Sequence, residues 1–415
     1  MTPDVVIIGG GLAGLSCANT LTQQGITNNI LEADDEVGGR ARTDRLDGFL
    51  LDRGFQVFST AYPEAKRILK YDALKLHTFY PGALVRFDGQ FHRIADPYRH
   101  PLHALQSVLN PIGTMKDKVR VATWRHQVLK DPLQELPSRP ETSTIDHLQS
   151  MGFSQSIINR FFRPFLGGVF MDQELTTSSR MADFVFRMFA SGDSALPEEG
   201  MGALAQQLAH NLQSEQIQLR KKVVKIQGTT VTLESGETLP ARRVVIATER
   251  SAATQLAPEV PPHLFRGTTC LYFHAPEPPL NGPHLILNGE TGGVINSLYL
   301  PTEVTRSYAP PGQHLISITT NETSLSDKMT IKEAVQKNLI EWFGTQVHTW
   351  QHIKTYFIQS AQSVQTPPFY PGTIASSKIR DGLYICGDHR STATIDGAIG
   401  SGRRTAEEIA SEIMN

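Results

Sequence analysis

A chain of 415 residues, 40% of them apolar, is long enough for two or three domains and a sizeable core. Its formal net charge of −2 excludes a general nucleic-acid footprint, and no nucleic-acid partner is expected. Cys17, Cys270 and Cys386 are too few and too far apart for a disulfide framework or a metal site, which fits a reducing, cytoplasmic setting.

A strand begins almost at once, so no signal peptide is expected. No apolar run reaches the roughly 18 residues needed to span a membrane. Val5-Val6-Ile7-Ile8 are four β-branched residues in a row, suited to a strand buried on both faces of a parallel sheet. Gly9, Gly11 and Gly14 follow in G-x-G-x-x-G order, with Leu12 and Ala13 between the last two. The first glycine allows a tight turn, the second lets a pyrophosphate approach the backbone, and the third lets a helix pack on the strand. Leu12, Leu15, Ala18 and Leu21 recur at helical spacing, and Gly25 can cap that helix. Its free N–H groups and positive dipole end would face the phosphates. Ile30-Leu31-Glu32 forms the next strand, with Glu32 placed 18 residues beyond Gly14. A carboxylate there accepts hydrogen bonds from ribose hydroxyls and repels the extra phosphate of NADP. The stretch reads as a site for the ADP half of a dinucleotide. Gly38-Gly39-Arg40 adds a second glycine turn, and Arg40 can pair with a diphosphate. Arg42 stands equally well as a cofactor contact or a surface residue.

The segment from Arg86 to Lys130 holds eight Lys or Arg and three acids, with His92, His100, His103 and His126 added. Leu102, Leu105, Val108, Leu109, Ile112 and Met115 are interleaved. Such a segment is either a solvated helical face or a basic amphipathic surface that can lie on an anionic membrane. Residues 81–189 look helical, broken at Pro97, Pro111, Pro132, Pro137 and Pro140. Phe161 to Phe170 and Phe184 to Phe189 are rich in aromatics, which suits either a core or the wall of a large apolar site. Pro197 to Leu208 places Gly200-Met201-Gly202 before an apolar helix. Leu219 to Val224 and Val231 to Leu233 flank a turn at Gln227-Gly228, and Val244 to Thr248 is a buried strand. Pro258 to Pro283 reads as a linker or surface loop. Thr268 to Phe273 within it, and His284 to Leu287, Val294 to Leu300, Leu315 to Thr319 and Ile353 to Ile358 after it, read as strands, and Ile331 to Phe343 as a helix. Leu383 to Cys386 is a strand that ends in Gly387-Asp388. Thr394 to Gly402 is a run of small residues that opens a helix from Arg403 to Met414. Cys386 is best read as a small core residue.

Glu32 through Thr43, with the doublet Gly38-Gly39 and Arg40, resembles the superfamily of FAD-dependent amine oxidases, phytoene desaturases and protoporphyrinogen oxidases. Leu51 to Gln56, Arg160 to Asp172, Gly387-Asp388 and Ile395-Asp396-Gly397-Ala398 carry the resemblance along nearly the whole chain. It implies an α/β fold, with a Rossmann-like FAD-binding domain interleaved with an α+β substrate domain. Residues 1–80, 190–260 and 360–415 would bind FAD. Residues 81–189 and 261–359 would build the substrate side, the first helical and the second a sheet. It also implies that Gly39 and Arg40 close over the FAD pyrophosphate, that Val223 or Val224 passes the adenine, and that Asp388 holds the ribityl chain. Ile395 and Ala398 would stand near the flavin N1–C2=O edge.

Departures from the amine oxidase branch matter as much. Monoamine oxidases carry a cage aromatic where this chain has Thr394, and residues 360–366 read Ser-Ala-Gln-Ser-Val-Gln-Thr where the second would fall. No cysteine stands there to tether a flavin, and no lysine lies between Thr268 and His274. These differences favour non-covalent FAD and argue against a simple amine. The expected function is FAD-dependent removal of hydride from a C–H bond of an apolar or cyclic small molecule, such as an isoprenoid, carotenoid or tetrapyrrole, with the electron acceptor open. The alternatives are a flavin amine oxidase, an isomerase that uses reduced FAD without net redox, and an escort-type binding protein. No Ser-His-Asp order, paired carboxylates or metal spacing assigns a catalytic base. His389 and Arg390 are candidates for contact with flavin or substrate, or plain structural residues.

Overall fold

The computed structural model describes residues 3–100, 110–320, 328–369 and 376–414. The opening unit is β1 (Val5–Ile8), α1 (Leu12–Gln23) and β2 (Asn28–Leu31). A hairpin of β3 (Gly82–Phe87) and β4 (Gln90–Ala95) comes next among the elements that shape the site. Helices α2 (Met115–Lys130), α3 (Arg163–Phe170) and α4 (Ser179–Ser191) follow. The chain then makes β5 (Ile217–Gln218), β6 (Val223–Gln227) and β7 (Arg243–Ile246). A second run gives β8 (Phe265–Ala275), β9 (Leu285–Asn288), β10 (Ile295–Tyr299), β11 (His314–Thr320) and β12 (Gln351–Ser363). Last come β13 (Lys378–Arg380), β14 (Leu383–Ile385) and α5 (Ile395–Met414).

Two sheets organise these elements. The first has the order β5-β2-β1-β7-β14-β13 and is parallel except for its last pair. Every side chain of β1 is buried, as its four β-branched residues require. Val5 and Ile7 point into a core shared with α1 and α5. Val6 and Ile8 point the other way, into a core with Val223, Val231 and Ala253. The second sheet has the order β12-β8-β11-β10-β9-β3-β4 and is antiparallel except between β9 and β3. One of its faces packs Leu271, Phe273, Ile316 and Ile318 against Ile331, Val335 and Leu339 of the helix Lys328–Phe343. A third core lies among α2, α3 and α4, where Trp124 stacks on Phe186 at 4.0 Å and donates to Asp183 at 2.7 Å.

Three sequence expectations are corrected. The segment 81–189 is not helical throughout, because it begins with the β3–β4 hairpin. The turn Asp88-Gly89 has both residues left-handed (φ 51° and 71°), as a two-residue hairpin loop prefers. Residues 219–222 are not strand. The chain leaves the parallel sheet after Gln218, reverses at Arg220 (φ 57°) and enters the next hairpin only at Val223. The stretch 258–283 is not all loop, since β8 runs through it. Its prolines stand at both ends and leave 263–275 free to hydrogen-bond.

The two ends of the chain meet at α1 and α5. A Cβ on Gly402 would lie 2.1 Å from the carbonyl oxygen of Ala13, so the helices cross in backbone contact. Ser16 on α1 donates to the carbonyl of Ile399 on α5 at 2.8 Å. Gly14 serves the same closeness on the other side, because its Cβ would meet the oxygen of Gly9 at 2.0 Å. This crossing fixes where both helix N-termini point.

Candidate active site

A chamber of about 1200 Å³ lies between the two sheets and the α2–α4 helices. Single-ligand pockets usually hold about 300–1,000 Å³, so this one has room for a cofactor with a substrate beside it. Gly9, Gly11, Leu12 and Ala13 line it at the end of β1. Glu32, Gly39 and Arg40 line it after β2, Val223 and Val224 at the start of β6, and Gly387, Asp388, Ile395 and Ala398 between β14 and α5. Gly14 is not in the lining and acts through packing.

The glycine turn leaves an open cradle. A Cβ on Gly11 would meet nothing within 4 Å, so this residue presents bare backbone to the chamber. Gly11 is the N-cap of α1, and no side chain caps the helix there. Its first N–H groups therefore remain available to an anion.

Glu32 is buried, and both of its oxygens already accept backbone hydrogen bonds. Oε2 accepts from Gly10 at 2.6 Å and Oε1 from Asp34 at 2.9 Å. It ties the glycine turn to the loop after β2 while its remaining lone pairs face the chamber. Arg42 proves to be neither a surface residue nor part of the lining. Its buried guanidinium holds Asp34, Asp35 and Glu36 at 3.0–3.3 Å and fixes the same loop.

Arg40 and Asp388, from opposite ends of the chain, bond to each other. The guanidinium meets Asp388 Oδ1 at 2.6 Å and also donates to the carbonyl of Ala361 at 2.9 Å. Burial on its own would raise the Asp388 carboxyl, but the Arg40 charge and hydrogen bond outweigh it and hold the group below the usual carboxylate range. Next to it, burial pushes the His389 imidazole down to about 4, so that ring is neutral near pH 7. His389 does not line the chamber.

Sequence reasoning missed how the 391–398 turn is held. Gln362 donates to the carbonyl of Ala393, while Gln365 accepts from the Ala393 N–H and donates to the carbonyl of Ser391, all at 2.8–3.0 Å. These glutamines stand where a cage aromatic was sought. Thr394 stands at the other cage position, and its hydroxyl caps α5 by accepting from Gly397 N–H at 3.0 Å. Asp396 Oδ1 accepts from the N–H groups of Glu64 and Ala65 at 2.7 and 3.1 Å, which ties α5 to the helix Pro63–Ile68. No sequence spacing announces the Asp396 contacts, which are made across more than 300 positions.

The aromatic segments divide between core and chamber. Phe162, Phe170 and Phe184 are buried in the helical core, whereas Phe161, Phe165, Phe186 and Phe189 line the chamber. Ile112, Val169, Leu285 and Leu287 extend the apolar wall, and Thr268, Ser297 and Thr319 offer hydroxyls from the second sheet. Lys354 on β12 is bound to Asp44 at 2.6 Å and does not line the chamber. Lys118, Val121, Ala122 and Arg125 put one face of α2 into the wall, while Met115 and Val119 are exposed on that helix. Leu102, His103, Leu105, Val108 and Leu109 lie outside the described residues.

The model of one protein family, described as flavin containing amine oxidoreductase, matches residues 12–410. The chain belongs to that family. Protoporphyrinogen oxidase 2 of Arabidopsis thaliana is 24% identical over 164 residues, which cover 40% of this chain and 32% of that one. Carotenoid phi-ring synthase of Streptomyces griseus is 26% identical over 242 residues, 53% of this chain and 46% of that one. The chain thus spans less than half the length of these relatives. A putrescine oxidase solved with putrescine bound has the same fold, with a TM-score of 0.75 and 17% identity over 99% of each chain. The family resemblance read from the motifs is borne out, and with it a flavin-containing oxidoreductase. All three cysteines are buried, and none lines the chamber.

Glu32→Ala is expected to leave the buried Gly10 N–H unpaired at a cost of about 1–3 kcal/mol and to release the loop at the more exposed Asp34. Flavin absorbance per chain and the thermal unfolding midpoint should both fall. Unchanged flavin content would show that Glu32 does not support the cofactor.

Proposed function

We propose that this chain oxidises a C–H bond of a large, mostly apolar substrate held beside FAD in the chamber. The observation that carries the reading is the wall of Phe161, Phe165, Phe186 and Phe189 facing the residues of the cofactor motifs. FAD, when bound, accepts the hydride. Gly9, Gly11 and the first turn of α1 receive the diphosphate, Glu32 takes the ribose, and Val223 and Val224 flank the adenine. Arg40 and Asp388 close over the middle of the cofactor. Ile395 and Ala398 bring the positive end of α5 to the flavin, where it stabilises negative charge. The parts of the chain at 1–80, 190–260 and 360–415 form the cofactor body, and 81–189 and 261–359 the substrate body.

Charge supports an apolar substrate over an amine. From residues 81–189 and 261–359 the lining carries Arg99, Lys118 and Arg125 against one acid, Asp96. A protonated amine would meet net positive charge there and no aromatic cage. Some relatives are named for porphyrinogen and carotenoid chemistry and others for amines, so the preference rests on the lining. Anaerobic bleaching of the bound flavin against carotenoids, tetrapyrrole precursors, polyamines and amino acids tests it. Bleaching by a member of the first two classes is expected, and bleaching by amines or amino acids alone would overturn it.

A substrate of this kind partitions into lipid, and the rim beside α2 suits a membrane surface. Tyr98, Met115 and Val119 are exposed by 60%, 56% and 64%, with Lys116 and Arg120 among them. Basic and apolar groups together favour an anionic bilayer. The protein should float with anionic vesicles at low salt and detach at high salt, and its absence from the vesicle fraction at low salt would end this part of the proposal.

A further inference from the structure

Of the three cations that residues 81–189 and 261–359 bring to the chamber, two have acids beside them. Arg99 pairs with Asp193 at 2.9 Å and Asp96 at 3.5 Å, and donates to the carbonyls of Phe189 and Gly192. Lys118 neighbours Asp117, whose charge opposes the lowering effect of burial on the Lys118 ammonium.

Arg125 differs from them. Its guanidinium lies 4.1 Å from the centre of the Tyr98 ring and donates to the carbonyl of Ala190 at 3.1 Å. Among the described residues no carboxylate pairs with it, and its Nε–H is buried without an acceptor. Stacking on Tyr98 holds the planar group in place at the chamber wall, with its positive charge unpaired by any described carboxylate. Lys118 stands seven residues earlier, two helical turns away on the same face. The pair frames one end of the apolar wall.

From this geometry we infer that the substrate is amphipathic, with a carboxylate that binds Arg125, reinforced by Lys118, and an apolar body along Phe161, Phe165 and Phe189. This inference rests on the apolar-substrate reading and narrows it. The acid end sets the depth of insertion and so decides which carbon reaches the cofactor. A hydride would pass from the apolar body to bound FAD and the proton of the neighbouring carbon to water, leaving a new C=C bond, and the carboxylate takes no part in the chemistry.

Retinoic acid and retinol share one polyene and differ in the end group, so they separate the two ideas. Binding is measured on the FAD-loaded protein by the change in polyene absorbance, for the wild type and for Arg125→Gln and Arg125→Lys. The acid should bind about tenfold or more tightly than the alcohol, in line with a hydrogen bond between charged groups. Arg125→Gln should remove that preference while flavin content and retinol affinity stay as in the wild type. Arg125→Lys should keep part of it. Equal binding of acid and alcohol to the wild type, or a preference untouched by Arg125→Gln, overturns the carboxylate anchor alone. Binding of neither polyene by the flavin-loaded wild type overturns the apolar reading and the anchor with it.

Discussion

Where α1 and α5 cross, Gly402 lies against the carbonyl of Ala13 with no room for a methyl group. That contact joins the first and last helices of the chain. It brings the N-terminus of α1 and that of α5 to one chamber, although nearly 400 residues separate them in sequence. The parallel sheet supplies the floor, with β1 and β7 at its centre and β14 beside them. Arg40 and Asp388 then link the two ends a second time, within the chamber itself. The candidate cofactor site is thus built from both ends of the chain.

The parts of this site that were legible in the sequence depend on local backbone chemistry. A glycine is needed at Gly9 because φ is 107° and the backbone of Ala247 lies beside it, and a β-branched run is needed at β1 because both faces are buried. Such demands are written into a few adjacent residues. The strand before, the helix after and Glu32 at the right distance complete a pattern that one window can hold. Gly387-Asp388 was legible for the same reason, once paired with the first motif.

What escaped depends on how loops fold back on themselves and on each other. Glu32 was read as a ribose contact, and its bonds to Gly10 and Asp34 show that it also braces the loop. Arg42 could not be placed, because only the folded loop brings three acids around it. Gln362 and Gln365 carry no signal in their spacing, yet they hold the turn before α5. The aromatic segments gave no way to tell wall from core, since helical spacing alone does not say which side holds protein and which holds a ligand. The hairpin at Asp88-Gly89 was different. Its turn chemistry was present in the sequence and was outweighed by the prolines that follow.

On the proposed reading, FAD is held without a covalent bond by motifs from both ends of the chain. Denaturing the purified protein and separating it from the supernatant is the decisive test. A yellow protein that releases about one FAD per chain into solution on denaturation is expected. A colourless protein that does not take up added FAD, or flavin that stays with the precipitated chain, would contradict it.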